Sequence, residues 1–402
     1  MTESSRFALR PMLPRDRHQT HRAASSLELF FDLVFVVAVS FASVQLAHQI
    51  EEGHTGEGVL AYAMVFFAIW WAWMNFTWFA TSFDTDDWLY RVTTIVQMAG
   101  VLVLAAGVSD AMNDSDFTLV TVGYVIMRLA MVSQWLRAAR RNPEYRTTAL
   151  RYAAGITAVQ ILWIARLSLP DSLALISFLI LVAAEIAVPA LSERTRQTPL
   201  HAEHIAERYG LFTLILLGES LLASATAIVG ALDEHQHVLE LTALAAAALV
   251  IVAAMWWIYF SVSQEDSIGT LKTSLTFGYT HYIIFAAAGA VSAGIEVSVA
   301  HILHPGTLTD LSAAAALTIP VALFIVTFWA LALRPRAGTL VNTITPIAAI
   351  LIAASTFLPG SAVITAVICA LVVAALVAHP LPHPVEQHAN GPFAGQDALT
   401  ED

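Results

Sequence analysis

The chain has 402 residues, of which 57% are hydrophobic and only 12% are charged. An average soluble domain carries about 25% charged residues, so this chain has too few charges to cover a soluble globule, and its mean hydropathy of +0.69 agrees. The composition therefore excludes a soluble enzyme, a nucleic-acid-binding protein and a receptor with a single membrane anchor. The formal net charge of -12 indicates no basic partner, because the placement of Lys and Arg carries the information in a membrane protein. The single cysteine excludes a disulfide framework.

The apolar runs predict an all-α polytopic membrane protein with about twelve transmembrane helices, since one helix needs about 20 mostly apolar residues to cross the bilayer. Residues 1–27 are polar, contain five arginines and lack the apolar segment of a cleaved signal peptide. Residues 379–402 have the composition of a disordered cytoplasmic tail. The apolar runs lie at about 28–50, 57–82, 89–110, 117–139, 148–167, 171–191, 205–230, 240–263, 276–303, 313–333, 338–358 and 360–378.

The distribution of basic residues supports this helix count. With a cytoplasmic N-terminus, all but two of the 19 Lys and Arg residues fall on the inward side. The exceptions are Arg166, in an outward loop, and Arg128, in the middle of the fourth run. A missed or additional helix would reverse every later loop and destroy this sorting. We therefore expect both termini to be cytoplasmic.

Several features recur in the same order and predict two six-helix repeats, residues 28–200 and 201–378. Trp70-Trp71-Ala72-Trp73 is followed by Trp256-Trp257-Ile258-Tyr259 at an offset of 186, and Asp32 maps to Glu219 at an offset of 187. Because six is an even number, the two repeats would have the same orientation in the membrane, as in transporters built from parallel repeats. A transport pathway would then lie between the halves.

Ionisable residues inside the apolar runs are the main functional signal, since each costs roughly 2.5–3.5 kcal/mol at a helix centre unless it is paired or hydrated. Arg128 is the deepest cation and should meet a carboxylate. Glu28 and Asp32 are four residues apart and share one face of the first helix. Such acids suit either a structural ion-pair network or a proton or ion relay. The candidate partners of Arg128 are Glu28, Asp32, Glu185, Glu219 and Glu296.

A metal site is a further hypothesis. His204 and Glu207 are three residues apart, next to Arg208, and could supply half of a metal site with His281 from the ninth run. The alternative is that these histidines are hydrogen-bonded or solvated. We expect no cofactor, because no Walker loop, dinucleotide fingerprint or nucleophile elbow is present.

His21-Arg22 is followed by Glu-Leu-Phe-Phe-Asp-Leu-Val-Phe-Val at 28–36. This segment resembles the opening signature of the bacterial low temperature requirement protein A family. Further similar motifs are Trp70-Trp71 leading to Asp84 and Asp86, Glu207-Arg208-Tyr209-Gly210-Leu211-Phe212 leading to Gly218-Glu219, and Tyr279-Thr280-His281-Tyr282. The resemblance covers about 20–375. It implies a multi-pass protein of the bacterial inner membrane, linked to growth in the cold, and implies no biochemical activity.

The preferred hypothesis is a protein that moves an ion or small solute, coupled to protons. Asp32 and Glu219 would be equivalent proton or cation sites, with Arg128 as their charge partner or gate; the other candidates are Glu28, Glu207, Arg208 and His281. One alternative is an intramembrane metal-dependent enzyme that uses His204, Glu207, Glu219 and His281. Another is a structural or sensory membrane protein without turnover. The expected partners are the lipid bilayer, a small ion or solute and a second copy of the chain, with no nucleic acid.

Overall fold

The computed structural model describes residues 9–16, 19, 23–234, 237–306 and 308–381, with the backbone alone at 227–228 and 230–234. In these residues all regular structure is helical. Within the described ranges, eleven helices are long and apolar enough to cross a membrane. The tail predicted at 379–402 lies outside the described residues from 382 onward.

The N-terminal half begins with a capped helix. The Ser25 hydroxyl accepts a hydrogen bond from the Glu28 N–H, and the Glu28 carboxylate accepts one from the Ser25 N–H, so two otherwise unpaired donors at the helix start are satisfied. The helices of this half are α1 (Ser26–Glu51), α2 (Thr55–Phe83), α3 (Trp88–Ala106), α4 (Val108–Asn113), α5 (Thr118–Arg141), α6 (Arg146–Arg166) and α7 (Ala174–Ser192). The short α4 occupies the end of the third predicted run.

The part of the C-terminal half that the structure describes has six α-helices, one in each of the remaining predicted runs. The run at 338–358 contains a helix of only 17 residues, which is why eleven helices and not twelve have the length of a full span. The helices are α8 (Ala202–Glu234), α9 (Val238–Phe260), α10 (Leu271–Leu303), α11 (Asp310–Phe328), α12 (Thr339–Ser355) and α13 (Ser361–Ala378). A π-helical turn extends α11 to Leu333.

The two halves meet where α1 and α2 pack against α8 and α10. Side-chain contacts between α1 and α8 follow the same order along both helices: Glu28 with His204, then Asp32 with Arg208, then Ser40 with Glu219. The first helices of the two halves are therefore parallel neighbours.

Glycines bring helices into close contact inside each half. A Cβ added to Gly123 of α5 would lie 2.4 Å from the Leu104 nitrogen of α3, and one added to Gly294 of α10 would lie 2.3 Å from the Ala316 carbonyl oxygen of α11. Small residues allow such close approach of backbones in membrane proteins. Because these contacts fix neighbouring helices, charged side chains can be held at defined positions between them.

An ordered N-terminal segment covers one end of the bundle. The Arg10 N–H donates to Asp87, the Arg15 N–H donates to the Ser82 carbonyl, and Asn142 donates to the carbonyl of Met12. Met12 is buried. Residues 9–16 of the basic segment predicted at 1–27 thus pack on the turn between α2 and α3.

Candidate functional site

Arg208 of α8 is fully buried between two carboxylates of α1. Its Nη2 and Nε donate to the two oxygens of Asp32 at 2.6 and 3.1 Å, and its Nη1 lies 3.0 Å from Glu28 Oε1. Asp32 also accepts a hydrogen bond of 2.6 Å from the indole of Trp73. A two-pronged contact of this kind fixes the orientation of both side chains.

His204 completes this group one turn earlier on α8. Its Nε2 lies 3.2 Å from Glu28 Oε1, and its Nδ1 lies 2.5 Å from the Thr81 hydroxyl. None of the four ionisable residues is more than 2% exposed. We call Glu28, Asp32, His204 and Arg208 the α1–α8 charge cluster. Its net charge is one negative unit with a neutral imidazole and zero with a protonated one.

Sequence spacing and the parallel packing together explain how the cluster forms. Glu28 and Asp32 are four residues apart, as are His204 and Arg208, so each pair lies on one face of its helix. The contacts of Glu28 with His204 and of Asp32 with Arg208 each join residues 176 apart. The sequence placed Glu28 and Asp32 on one helix face and named Arg208 as a further candidate, but it did not pair Arg208 with Asp32. The matching four-residue spacing was the signal that could have identified the partner.

A second buried ion pair lies within the N-terminal half. Glu185 of α7 accepts hydrogen bonds from Arg128 at 3.0 Å, Trp71 at 2.9 Å, Tyr124 at 2.8 Å and Gln160 at 2.9 Å. Four donors from three other helices therefore surround one carboxylate. Glu185 was one of the predicted candidate partners of Arg128.

The proposed role of Arg128 as charge partner of Asp32 and Glu219 has to be corrected. Its carboxylate is Glu185, while Arg208 is the cation that contacts Asp32. Arg128 lies among helices of the N-terminal half and not between the halves. Helix periodicity cannot decide between several buried acids, because only the packing of the helices determines which of them faces the arginine.

The equivalence of Asp32 and Glu219 is also corrected. Glu219 accepts a hydrogen bond of 2.6 Å from Ser40 and follows Arg208 by eleven residues on the same helix. At 1.5 Å per residue it lies about 16 Å further along the helix axis than the contact with Asp32. The two acids therefore occupy different depths.

The remaining candidates have separate partners. Glu207 accepts a hydrogen bond from the Ala24 N–H at 3.1 Å. In His281, Nδ1 lies 2.8 Å from the Phe277 carbonyl and Nε2 lies 3.0 Å from the Tyr259 hydroxyl. A neutral ring that donates through Nδ1 and accepts at Nε2 satisfies both atoms.

The weak metal candidates are not assembled into one site. His204 contacts α1 and α2, Glu207 contacts the segment before α1, and His281 contacts α9 and its own helix. Across the described residues, no group of three or more His, Cys, Asp or Glu side chains could hold a metal ion. The arrangement gives no support to the hypothesis of an intramembrane metal-dependent enzyme.

The two tryptophan motifs have different surroundings. Trp71 and Trp73 are fully buried and donate to Glu185 and Asp32. Trp256 and Trp257 are 43% and 45% exposed, as expected of aromatic residues that face lipid. The similar sequence motifs therefore do not perform the same structural role.

Outside the spans, Asp87 joins three elements at the end of the bundle covered by residues 9–16. It caps α3 through the Tyr90 N–H, accepts from Arg137 of α5 at 3.0 Å and accepts from the Arg10 N–H. Burial raises the pKa of Asp87, but these hydrogen bonds and the Arg137 charge outweigh burial and hold the pKa below the ordinary aspartate value.

The apolar helices, with two groups of buried ion pairs between them, define a multi-pass α-helical membrane protein. The family model described as "Bacterial low temperature requirement A protein (LtrA)" matches residues 23–378. The chain belongs to this family, which confirms the resemblance found in the motifs. A protein of Rhizobium meliloti (strain 1021), described as uncharacterized, is 29% identical over 311 residues, which cover 73% of this chain and 74% of that protein.

Proposed function

We propose that the protein moves an ion or small solute across the membrane, coupled to protons, and that the α1–α8 charge cluster is the proton- or cation-responsive site. One observation carries the proposal: four fully or almost fully buried ionisable residues join the first helices of the two halves. A rotation of one half against the other has to break or reform these contacts. The charge state of the cluster therefore biases the arrangement of the halves.

His204 supplies a proton-sensitive step. Imidazole is the one side chain whose ordinary titration lies between pH 5 and 8. Its protonation beside Glu28 changes the net charge of the cluster from one negative unit to zero. A proton or another cation at this position would hold the carboxylates of α1 against α8, and its loss would weaken the contact between the halves.

The proposal includes two parallel six-helix repeats. The parallel packing of α1 and α8 supports this relation, and so do matching neighbours: α1 packs on α2 as α8 packs on α9, and α3 packs on α5 as α10 packs on α11. When α1 is aligned with α8 so that residues in contact correspond, Glu28 matches His204 and Asp32 matches Arg208. Both pairs are 176 residues apart. The repeats would then place opposite charges at equivalent positions that face each other.

The placement of basic residues supports a bacterial inner-membrane protein with both termini in the cytoplasm. Arg10, Arg15, Arg137 and Arg140 lie at the end of the bundle that contains the N-terminal segment. Cytoplasmic loops of membrane proteins carry an excess of Lys and Arg.

A flux assay in liposomes tests the proposal. Purified protein is reconstituted with an internal pH-sensitive dye, and proton flux is recorded after a pH jump, with K⁺ or Na⁺ gradients as cation probes. We expect flux from the wild type above that of protein-free vesicles and a loss of at least tenfold in Asp32→Asn. Wild-type flux no higher than that of protein-free vesicles, or equal flux in wild type and Asp32→Asn, contradicts the proposal.

The matched control is the double variant Arg128→Met/Glu185→Gln. It removes an ion pair that is equally buried but lies inside one half, so it should retain proton and cation flux when the reconstituted protein is folded. Equal loss of flux in the control and in Asp32→Asn would mean that buried charge maintains the fold and does not respond to the transported ion.

A further inference from the structure

A cavity of about 250 Å³ lies between α3 and α5, beside the N-terminal segment. Gln134 lines it and is only 2% exposed, yet neither its Oε1 nor its Nε2 has a hydrogen-bond partner. Burial of an amide without partners is unfavourable, because the hydrogen bonds it made with water are lost and not replaced. An amide that borders a cavity with both atoms unsatisfied indicates a ligand that supplies an acceptor and a donor.

The charges around the cavity favour an anion. Arg137 and Arg140 line it, and Arg137 is already held by Asp87. Arg140 is exposed and has no ion-pair partner within the described part of the chain. Its guanidinium is therefore available for a phosphate or carboxylate at the mouth of the cavity.

The position along the helix places the cavity near the membrane surface. α5 ends at Arg141, seven residues after Gln134, a distance of about 10 Å along the helix axis. Toward the middle of the bilayer, the same two helices expose apolar side chains, among them Val96 and Leu129. The groove thus has a polar, cationic end beside a surface suited to acyl chains.

We infer that the groove between α3 and α5 binds the headgroup of an anionic phospholipid. The Gln134 Nε2 and Arg140 donate to the phosphate, and the Gln134 Oε1 accepts from a headgroup hydroxyl such as those of phosphatidylglycerol. Basic pockets between transmembrane helices are known to take anionic lipid headgroups. The site lies outside the α1–α8 charge cluster and does not depend on the proposed transport.

Lipid binding to the full-length protein in detergent tests the inference. Retained lipid is counted by native mass spectrometry, and the thermal unfolding midpoint is recorded with phosphatidylglycerol, phosphatidylcholine or soluble glycerol phosphate. We expect phosphatidylglycerol to bind and to raise the midpoint more than the other two. An equal effect of phosphatidylcholine overturns the inference, and so does an equal effect of glycerol phosphate, which would indicate a site for free anions.

Three variants locate the site. Arg140→Gln should weaken phosphatidylglycerol binding by about fivefold, the effect expected for one arginine at an anionic surface. Arg141→Gln is the matched control, because this neighbouring arginine is also exposed but does not line the cavity. Equal weakening in both variants would mean that only general surface charge attracts the lipid, and would overturn the site.

Gln134→Leu separates a lipid site from a structural role. Without lipid it should unfold at the same temperature as the wild type or higher, because it removes a buried amide that has no partner. With phosphatidylglycerol it should lose most of the rise in midpoint. A variant that is destabilised without lipid and keeps the full rise would show that Gln134 serves the fold alone.

Discussion

Arg208 and Asp32 form a two-pronged ion pair, with contacts of 2.6 and 3.1 Å, between the first helices of the two halves. Both side chains are fully buried, and the Arg208 guanidinium also contacts Glu28. One cation thus compensates two carboxylates. The cost of removing it should exceed that of removing either acid.

Arg208→Met is expected to be the most destabilising single change in the cluster. It leaves two carboxylates buried without their arginine, and the loss of one partner from a buried pair costs about 3–5 kcal/mol. Asp32→Asn should lower the free energy of unfolding by less, because Arg208 keeps its contact with Glu28. Thermal unfolding of the purified variants measures the difference. The reverse order would show that Glu28 does not share the guanidinium.

The pair of Arg128 and Glu185 should behave as a coupled unit. Each single variant, Arg128→Met or Glu185→Gln, leaves one buried partner uncompensated and should cost about 3–5 kcal/mol. In the double variant, the new amide side chain at position 185 keeps one oxygen. This oxygen still accepts hydrogen bonds from Tyr124 and Gln160, as Glu185 Oε1 does in the wild type. The double variant should therefore lose clearly less unfolding free energy than the two single variants lose together. Additive losses in unfolding free energy would contradict the direct contact.

Close helix packing predicts a large effect at one glycine and a small one at another. Gly294→Ala places a methyl group against the backbone of α11, and forced overpacking costs about 1–3 kcal/mol. Gly218→Ala meets nothing within 4 Å and should be neutral or stabilising by up to about 1 kcal/mol. We expect the thermal unfolding midpoint to fall in Gly294→Ala and not in Gly218→Ala. Equal midpoints in the two variants would argue against the tight contact of α10 and α11.

Asp87 should give the fold an acid-sensitive contact. Because hydrogen bonds and Arg137 hold its pKa below the ordinary value, its stabilising effect is complete above the pKa of an unfolded aspartate, about 3.9, and is lost as the pH falls through the lower folded value. Asp87→Asn should lower the unfolding midpoint at neutral pH, and its difference from the wild type should shrink below about pH 4.

Asp86→Asn is the control for this pH dependence. The Asp86 side chain is half-exposed in its pair with Arg91, and exposed pairs contribute little to stability. Its midpoint should follow that of the wild type at every pH. A constant difference between Asp87→Asn and the wild type down to pH 3 would contradict the role of the Asp87 charge.

The sequence by itself determined the class of the protein, the apolar segments that form helices and some of the charged residues that had to be paired. Apolar length and composition decide which segments enter a bilayer, and these are properties of consecutive residues. For the same reason Glu28 and Asp32 could be assigned to one helix face, and Arg128 could be expected to meet an acid. The family resemblance also depends only on the order of residues.

Tertiary structure decided which acid meets which cation. Arg128 had five candidate carboxylates at acceptable positions, and the packing of α5 against its neighbours brought it to Glu185. The repeat offset had matched Asp32 with Glu219, but the parallel packing of α1 and α8 brings Arg208 to Asp32. Hydrophobic periodicity specifies the buried face of a helix but not its neighbour or its vertical register. Those depend on close contacts such as Gly123 with α3 and Gly294 with α11.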